Sequence, residues 1–417
     1  MRTNVRHPTI AMACFIKRIL SAIILATALL YAFLPASAQT WQKTKAPTDF
    51  WRSIATSTDG KQIIAASFGP VFISTNYGDA WTQTGLPQAN WQSAASSADG
   101  SRLIIAGYNI FNGPGWVYTS TNFGSAWISN SLPITNWQAV ACSADGLKLI
   151  AGTWGSSSFQ SLSCFSTNGG LTWATNIDTI TDWRSIAASS NAFELTAVGD
   201  SGVYSSTNMG INWKEQSQSS LGETWFSEAA SASGVKMFLA SLASYGGAAG
   251  GHIYTSTNSG TNWMLASAPA TNWSSIASSM DGSRIVACAG GFSGGFRGPI
   301  YLSSDSGFTW TITDAPITNW TSVASSADGT RLVAASAYSG IYVAQLFPPL
   351  TINPLSTNLM LSWTASSGGF VLQCNGDLNT TNWQALTNNL QFNPLTLENL
   401  VTCPLTTSNQ YYRLALP

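Results

Sequence analysis

The stretch Trp51-Arg-Ser-Ile-Ala-Thr-Ser57, followed by Ser74-Thr-Asn-Tyr-Gly-Asp-Ala-Trp81, is the first copy of a unit that recurs along this chain. Its second half, Ser-Thr-Asn-x-Gly-x-x-Trp, returns at Ser120–Trp127, Ser166–Trp173, Ser206–Trp213 and Ser256–Trp263. A sixth copy at Ser303–Trp310 reads Ser-Ser-Asp-Ser-Gly-Phe-Thr-Trp. The first half is a Trp with Ala four residues on and Ser six residues on. It starts again at Trp91, Trp137, Trp183, Trp225, Trp273 and Trp320. Every copy keeps both small residues, from Ala55 and Ser57 to Ala324 and Ser326, and the starts fall 40 to 48 residues apart.

Each unit reads as four short strands, a to d. In the first, Trp51–Ser57 is strand a and Asp59-Gly60 turns the chain. Gln62–Ala66 is strand b, Val71–Ser74 strand c and Ala80–Thr84 strand d. In the c–d turn an Asn side chain is expected to accept a backbone N–H two residues on, and Gly supplies the positive φ of a hairpin. The Trp that follows buries a ring between sheets, worth about 1.5–3 kcal/mol. A period of this length signals propeller blades. Trp320 opens a seventh unit that reaches Ile341-Tyr342-Val343 and then has no fourth strand. Trp41 precedes Trp51 by the ten residues that separate most box Trp residues from the next strand a, yet no box precedes it. Thr40–Thr44 is therefore expected to supply the missing strand and leave no open edge. The expectation is an all-β chain: a seven-bladed β-propeller over 39–345, closed by its N-terminal strand, and a small C-terminal β-sandwich-like module over 346–417.

The boxes resemble the Asp-box, or BNR, repeat, Ser-x-Asp-x-Gly-x-Thr-Trp, found in the superfamily of sialidases, xyloglucan-cleaving hydrolases and photosystem II assembly factors. The resemblance covers about Trp41 to Tyr342, with Asn replacing Asp in five of six copies. It implies that the boxes are structural turns on the face away from any active site. The C-terminal segment, with strand-like runs at Leu359–Trp363, Phe370–Gln373, Leu400–Cys403 and Gln410–Leu416, resembles the fibronectin type III-like modules appended to secreted bacterial proteins.

Residues 1–38 read as a signal peptide. Arg2, Arg6, Lys17 and Arg18 precede an apolar Ile19–Leu34 run and the Ala36-Ser37-Ala38 cleavage site. The run falls short of the roughly 18 apolar residues a span needs, so a secreted or periplasmic protein with no transmembrane anchor is expected. Beyond it remain 13 basic and 18 acidic residues and no basic stripe, which argues against nucleic acid as partner. Five Cys remain. Cys142 and Cys164 fall on strands a and c, about 9.6 Å apart by two inter-strand gaps and out of disulfide reach. Cys374 and Cys403 are a pair that could bridge.

In such a fold the b–c and d–a loops share one face. Blades 2, 3, 5 and 6 carry long b–c loops rich in aromatics, holding Tyr108, Phe111, Trp116, Trp154, Phe159, Tyr245, Phe292, Phe296 and Arg297, and blade 7 adds Tyr338. Exposed aromatics on loops suit stacking on sugars or packing on a partner. Blade 4 has a minimal loop at Gly199–Gly202, which would interrupt the rim. Glycoside hydrolysis needs two facing carboxylates, but most acids here belong to turns or boxes. Asp49 and Asp182 stand just ahead of the strand-a Trp, a region where four other units carry Asn. Asp200, Glu223 and Glu228 lie nearest the open face, and Glu228 takes a slot that is Ile, Ala or Val elsewhere. Glu223 and Glu228 are thus the only catalytic candidates. Phe296-Arg297-Gly298-Pro299 echoes the sialidase Phe-Arg-Ile-Pro signature, late in the chain and without its Ile. A single His beyond the leader, His252, excludes a multi-His metal site, so no metal or cofactor is expected. The reading is a monomeric, non-catalytic propeller that binds a neutral glycan or an extracytoplasmic protein through its b–c loops. The alternative is a glycoside hydrolase of sialidase or xyloglucanase type.

Overall fold

The computed structural model describes residues 41–415, apart from 109–114, 134–135, 156–160, 178–179, 181, 201, 217–222, 243–249, 292–295 and 347–349 and, further on, 356–357, 365–369, 378–379, 381, 387–389, 394–397 and 405–409. The chain divides into two compact bodies, Thr40–Gln345 and Leu346–Pro417. Among the described residues there is no helix, and the first body consists of four-stranded antiparallel sheets repeated along the chain.

The inner strands of successive repeats are Trp51–Thr56, Ala89–Ser96, Trp137–Cys142, Trp183–Ala188, Thr224–Ala230, Trp273–Ser278 and Trp320–Ser325. Each pairs with a second strand, and that with a third and a short fourth. The first two repeats also join through Phe68↔Asn90 and Gly69↔Ala89. The last repeat takes its fourth strand from the other end of the body: Gln42 pairs with Val343 and Lys43 with Tyr342, and the Thr44 N–H donates to the Ile341 carbonyl at 2.9 Å. This is the pairing the missing strand called for.

Two sets of bonds tie neighbouring inner strands together. The Ser two residues after the inner Trp accepts a backbone N–H from the next repeat: Ser53 from Ala94, Ser93 from Val140, Ser227 from Ile276, Ser275 from Val323, and Ser322 from Ile54. Ala139 in the third repeat has no hydroxyl to take part. At the strand ends runs a backbone belt. Thr58 donates to Ala98, Ala98 to Ala144, Ala144 to Ser190, Ser190 to Ala232, Ala232 to Met280, Met280 to Ala327, and Ala327 back to Thr58. The belt therefore returns to its starting residue.

The core lies between adjacent sheets. The inner Trp residues are fully buried, and several take edge-on partner rings, as Trp51 on Phe72 and Trp320 on Tyr342. The box Trp residues are only half-buried, so the larger burial belongs to the inner Trp, contrary to the expectation from sequence. The box turn also closes differently. Asn76 Oδ1 accepts the Ala80 N–H four residues on, and Ser74 Oγ accepts the Gly78 N–H. Two successive left-handed residues, Tyr77 (φ 62°) and Gly78 (φ 91°), widen the turn beyond the reach of a two-residue Asn ring.

In the second body one sheet holds Thr351–Pro354, Asn358–Thr364, Leu390–Asn393 and Glu398–Pro404, and the other Val371–Asn375, Gln384–Ala385 and Tyr411–Ala415. Both feed one cluster around Leu361, Trp363, Leu372, Val401 and Tyr412. Cys403 lies in that cluster with Cys374 packed against it, and both are free thiols.

Candidate binding face

One residue in each inner strand escapes the repeat. A β-bulge follows every inner Trp, so the next residue has no ladder partner. A bulge re-aims its side chain away from the ladder. These residues are Arg52, Gln92, Gln138, Arg184, Phe226, Ser274 and Thr321. Adjacent ones touch: Gln138 donates to Gln92 at 3.4 Å, and the Arg184 guanidinium lies 5.7 Å from the Phe226 ring. The inner Trp faces a residue at or near the end of the second strand, as Trp51 faces Ser67. The bulges therefore share an end with the b–c loops.

The most elaborate group on this face gathers around Arg184. Its Nε and Nη2 donate to the two carboxylate oxygens of Asp200 at 2.9 and 3.1 Å, a bidentate pair. The same guanidinium stacks 4.7 Å above the Trp154 ring, which is 39 % exposed. The Trp154 indole lies close enough to the Asp182 carboxylate to lower its proton affinity. Asp182 holds a left-handed backbone (φ 62°). Burial first, and then the charge of Asp200, push its carboxyl up, against the opposing pull of Arg184 and the indole N–H. The group thus joins three repeats through Trp154, Arg184 with Asp200, and Phe226. Arg184 stands at the repeat position that Arg52 also fills, and sequence reading names neither it nor Phe226 as a ligand contact. The usable signal is the rarity of charge, 8 % of residues, with Arg184 and Asp200 in the same repeat.

A second polar group lies in the fifth repeat. Glu223 accepts from Ser241 Oγ at 2.7 Å and bonds His252 Nδ1 at 2.7 Å, and Tyr254 also reaches it. Burial and then Glu223 raise the Tyr254 hydroxyl. The Ser241 hydroxyl points to the carboxylate and accepts the His252 backbone N–H, so it is not aligned as a nucleophile on the imidazole. The first repeat has a similar contact, Ser67 Oγ to Asp49 Oδ2 at 3.1 Å. Asp182 takes the slot directly before the inner Trp, whereas Asp49 sits one residue earlier.

Glu228 is not on the open face. It is 6 % exposed, in mid-strand opposite Leu239. Neither oxygen has a well-formed hydrogen bond, and the Ala187 N–H of the fourth repeat compensates only partly. Burial holds its carboxyl well above the usual range. The equivalent slots hold Ile54, Val140, Ile186 and Ile276, all in apolar clusters. The cluster beside Glu228 shrinks to Val198, Val203, Trp225 and Leu239.

Of the aromatic candidates, Tyr108 ends the second strand Leu103–Tyr108, and Trp154 directly follows the second strand Leu149–Thr153. Trp116 opens a third strand and packs against the cluster around Trp91, so it is partly core. Tyr338 is 65 % exposed and meets Phe50 edge-on at 5.1 Å, with Phe68 beyond at 6.4 Å from Phe50. Sequence reading names neither Phe50 nor Phe68 as a ligand contact. Phe296 and Arg297 are exposed beside Gly298, which pairs with Thr318. Phe111, Phe159, Tyr245 and Phe292 lie outside the described residues. Among the described residues no group of three or more His, Cys, Asp or Glu could hold a metal ion, and no helix is long and apolar enough to cross a membrane. At the opposite strand ends, Ser57, Ser97, Ser143, Ala98, Ala144 and Met280 help line a cavity of about 180 Å³. The hydroxyls of those three Ser residues are committed to Asp59, Asp99 and Asp145.

No family model and no curated protein matches this sequence. Solved structures do. "YCF48 bound to D1 peptide" matches with a TM-score of 0.53 at 14 % identity, over 74 % of this chain and 97 % of that one. An ancestral GH74 enzyme matches with a TM-score of 0.54 at 14 % identity, over 80 % of this chain and 57 % of that one. The chain thus spans little more than half the length of the GH74 enzyme. Both are β-propellers, and the repeated four-stranded sheets here have that fold.

Proposed function

We infer that this chain is an exported, monomeric, seven-bladed propeller that binds a neutral glycan or a protein partner through its b–c face without catalysis. Residues 1–38 serve as its signal peptide, and 346–417 form an appended β-sandwich module. Seven blades are supported by the belt that returns from Ala327 to Thr58. The binding reading is carried by one observation. The inner strand varies most at its bulge, and at that end the exposed Trp154 ring stacks on a mutually neutralised ion pair, Arg184 with Asp200. The D1 peptide bound to YCF48, a protein of similar fold, supports a protein partner. Screening residues 39–417 on a glycan array and against extracytoplasmic extract should give a ligand lost on substitution at this face. A ligand insensitive to every such substitution would refute the reading.

A hydrolytic reading rests on Asp182 and Asp200. Their environments differ, one carboxyl being pushed up and the other ion-paired, as an acid and its partner require. Turnover of a glycan that vanishes in both Asp182→Asn and Asp200→Asn would establish it.

A further inference from the structure

The residue directly after the one that faces the inner Trp occupies one fixed place in each repeat. In the first four repeats it is Phe68, Tyr108, Trp154 and Asp200. Three consecutive repeats therefore present an aromatic ring at the same position, and the fourth presents the carboxylate that holds Arg184. The backbone there is pinned. The Phe68 N–H donates to the Phe50 carbonyl at 2.9 Å, and the Trp154 N–H to the Asn136 carbonyl at 2.8 Å. These rings stand at the end of each repeat's second strand, and Phe68 is 44 % exposed.

We propose that repeats 1 to 4 form a linear site for a neutral oligosaccharide, its rings stacked on Phe68, Tyr108 and Trp154 and its hydroxyls held by the Arg184–Asp200 pair. The proposal rests on the binding face described above and names its ligand. A pyranose has an apolar C–H face and a rim of hydroxyls that each donate and accept. An aromatic ring on a fixed backbone matches the face. The ion pair matches the rim. Arg184 has five N–H donors and uses two on Asp200, whose carboxylate keeps further lone pairs, so donors and acceptors stand side by side. Charge decides against a strongly ionic peptide. To bind an acidic or basic side chain, Arg184 or Asp200 would have to leave a bidentate partner, whereas hydroxyls add to the pair without breaking it. Trp154 is held on two counts, its ring against the guanidinium and its backbone N–H on the Asn136 carbonyl.

The test is calorimetric titration of the purified full mature chain with neutral glucose, mannose and galactose hexasaccharides at low and high salt. At least one should bind, with an affinity unchanged by salt. Trp154→Ala and Arg184→Ala should each weaken it by about ten-fold or more, the scale of one lost anchor, with the melting temperature unmoved. Leu171→Ala, at an exposed box residue, should bind as the parent does. Binding that survives both substitutions but is lost in Tyr338→Ala would overturn the linear site and leave the wider binding face standing. Failure of every hexasaccharide, with Trp154-dependent capture of a proline- or aromatic-rich peptide, would overturn the ligand class alone. Loss of binding in Leu171→Ala would overturn the binding face itself.

Discussion

The two ends of each inner strand obey opposite rules. At the far end stand Ser57, Ser97, Ser143, Ser189, Ser231, Ser279 and Ser326, one residue type throughout, next to a backbone belt that runs through all the repeats. At the near end stand Arg52, Gln92, Gln138, Arg184, Phe226, Ser274 and Thr321, five residue types in seven positions. The far-end serine accepts the N–H that closes its turn, as Ser57 does from Gln62 at 2.9 Å, so its side chain is part of the backbone's hydrogen bonding. The near-end residue sits on a bulge and owes the ladder nothing. Repetition therefore marks where a side chain builds the scaffold, and variation marks where it can be released, as at Arg184, while Ser274 and Thr321 in the same slot are buried on the Trp320 and Ala335 carbonyls.

Substitutions can sharpen or break that contrast. The largest loss is expected at the invariant side. Trp183→Ala removes a fully buried ring packed on Trp213 at 5.0 Å and should cost about 3–5 kcal/mol in denaturant titration. Gly124→Ala comes next, at about 1–3 kcal/mol. The residue holds φ 77°, and a Cβ there would meet Ile73 Cδ1 at 1.9 Å. A milder result would mean the box turn can re-form without its left-handed pair.

Glu228→Ile should act in the opposite direction, stabilising by on the order of 1 kcal/mol at neutral pH. It restores the apolar residue of the other repeats. The gain should depend on pH. A carboxyl raised on folding contributes its full stability below the unfolded value of about 4.3 and loses it as pH rises through the folded value. The variant's advantage should therefore be absent in acid and grow toward neutrality. A pH-independent gain would point to packing alone. The turn acids should behave inversely. Hydroxyl bonds from Ser97 and Ser143 hold the Asp99 and Asp145 carboxyls down, so their contribution is present above about 3.9 and fades as pH falls through the lower folded value. The smallest effect belongs to the released end: Gln138→Ser should stay within about 0.5 kcal/mol of the parent.

The same contrast explains what can be read from the chain. The inner Trp, the Ala and the Ser announce themselves by recurrence, and the absent seventh box points to the Gln42–Lys43 pairing. The Arg184 group cannot be read this way. Trp154, Asp182, Arg184, Asp200 and Phe226 belong to three repeats, and only the bulge and the strand register bring them together. Recurrence even misleads, because Arg52 occupies the equivalent slot and makes Arg184 look structural. Glu228 shows the converse: its oddity is visible, but its mid-strand place seals it inside.

The pairing of Gln42 with Val343 also has a consequence in time. A chain made from its N-terminus produces Gln42 and Lys43 long before their partner strand, Gly340–Gln345, exists. The intervening repeats can form local hairpins as they appear, but the first and last cannot meet until the whole body is made. Contacts across such a span are slow to form, and until they do the facing edges of the first and last repeats stay open to other chains. The step that completes the fold is thus also the one that ends its exposure to aggregation.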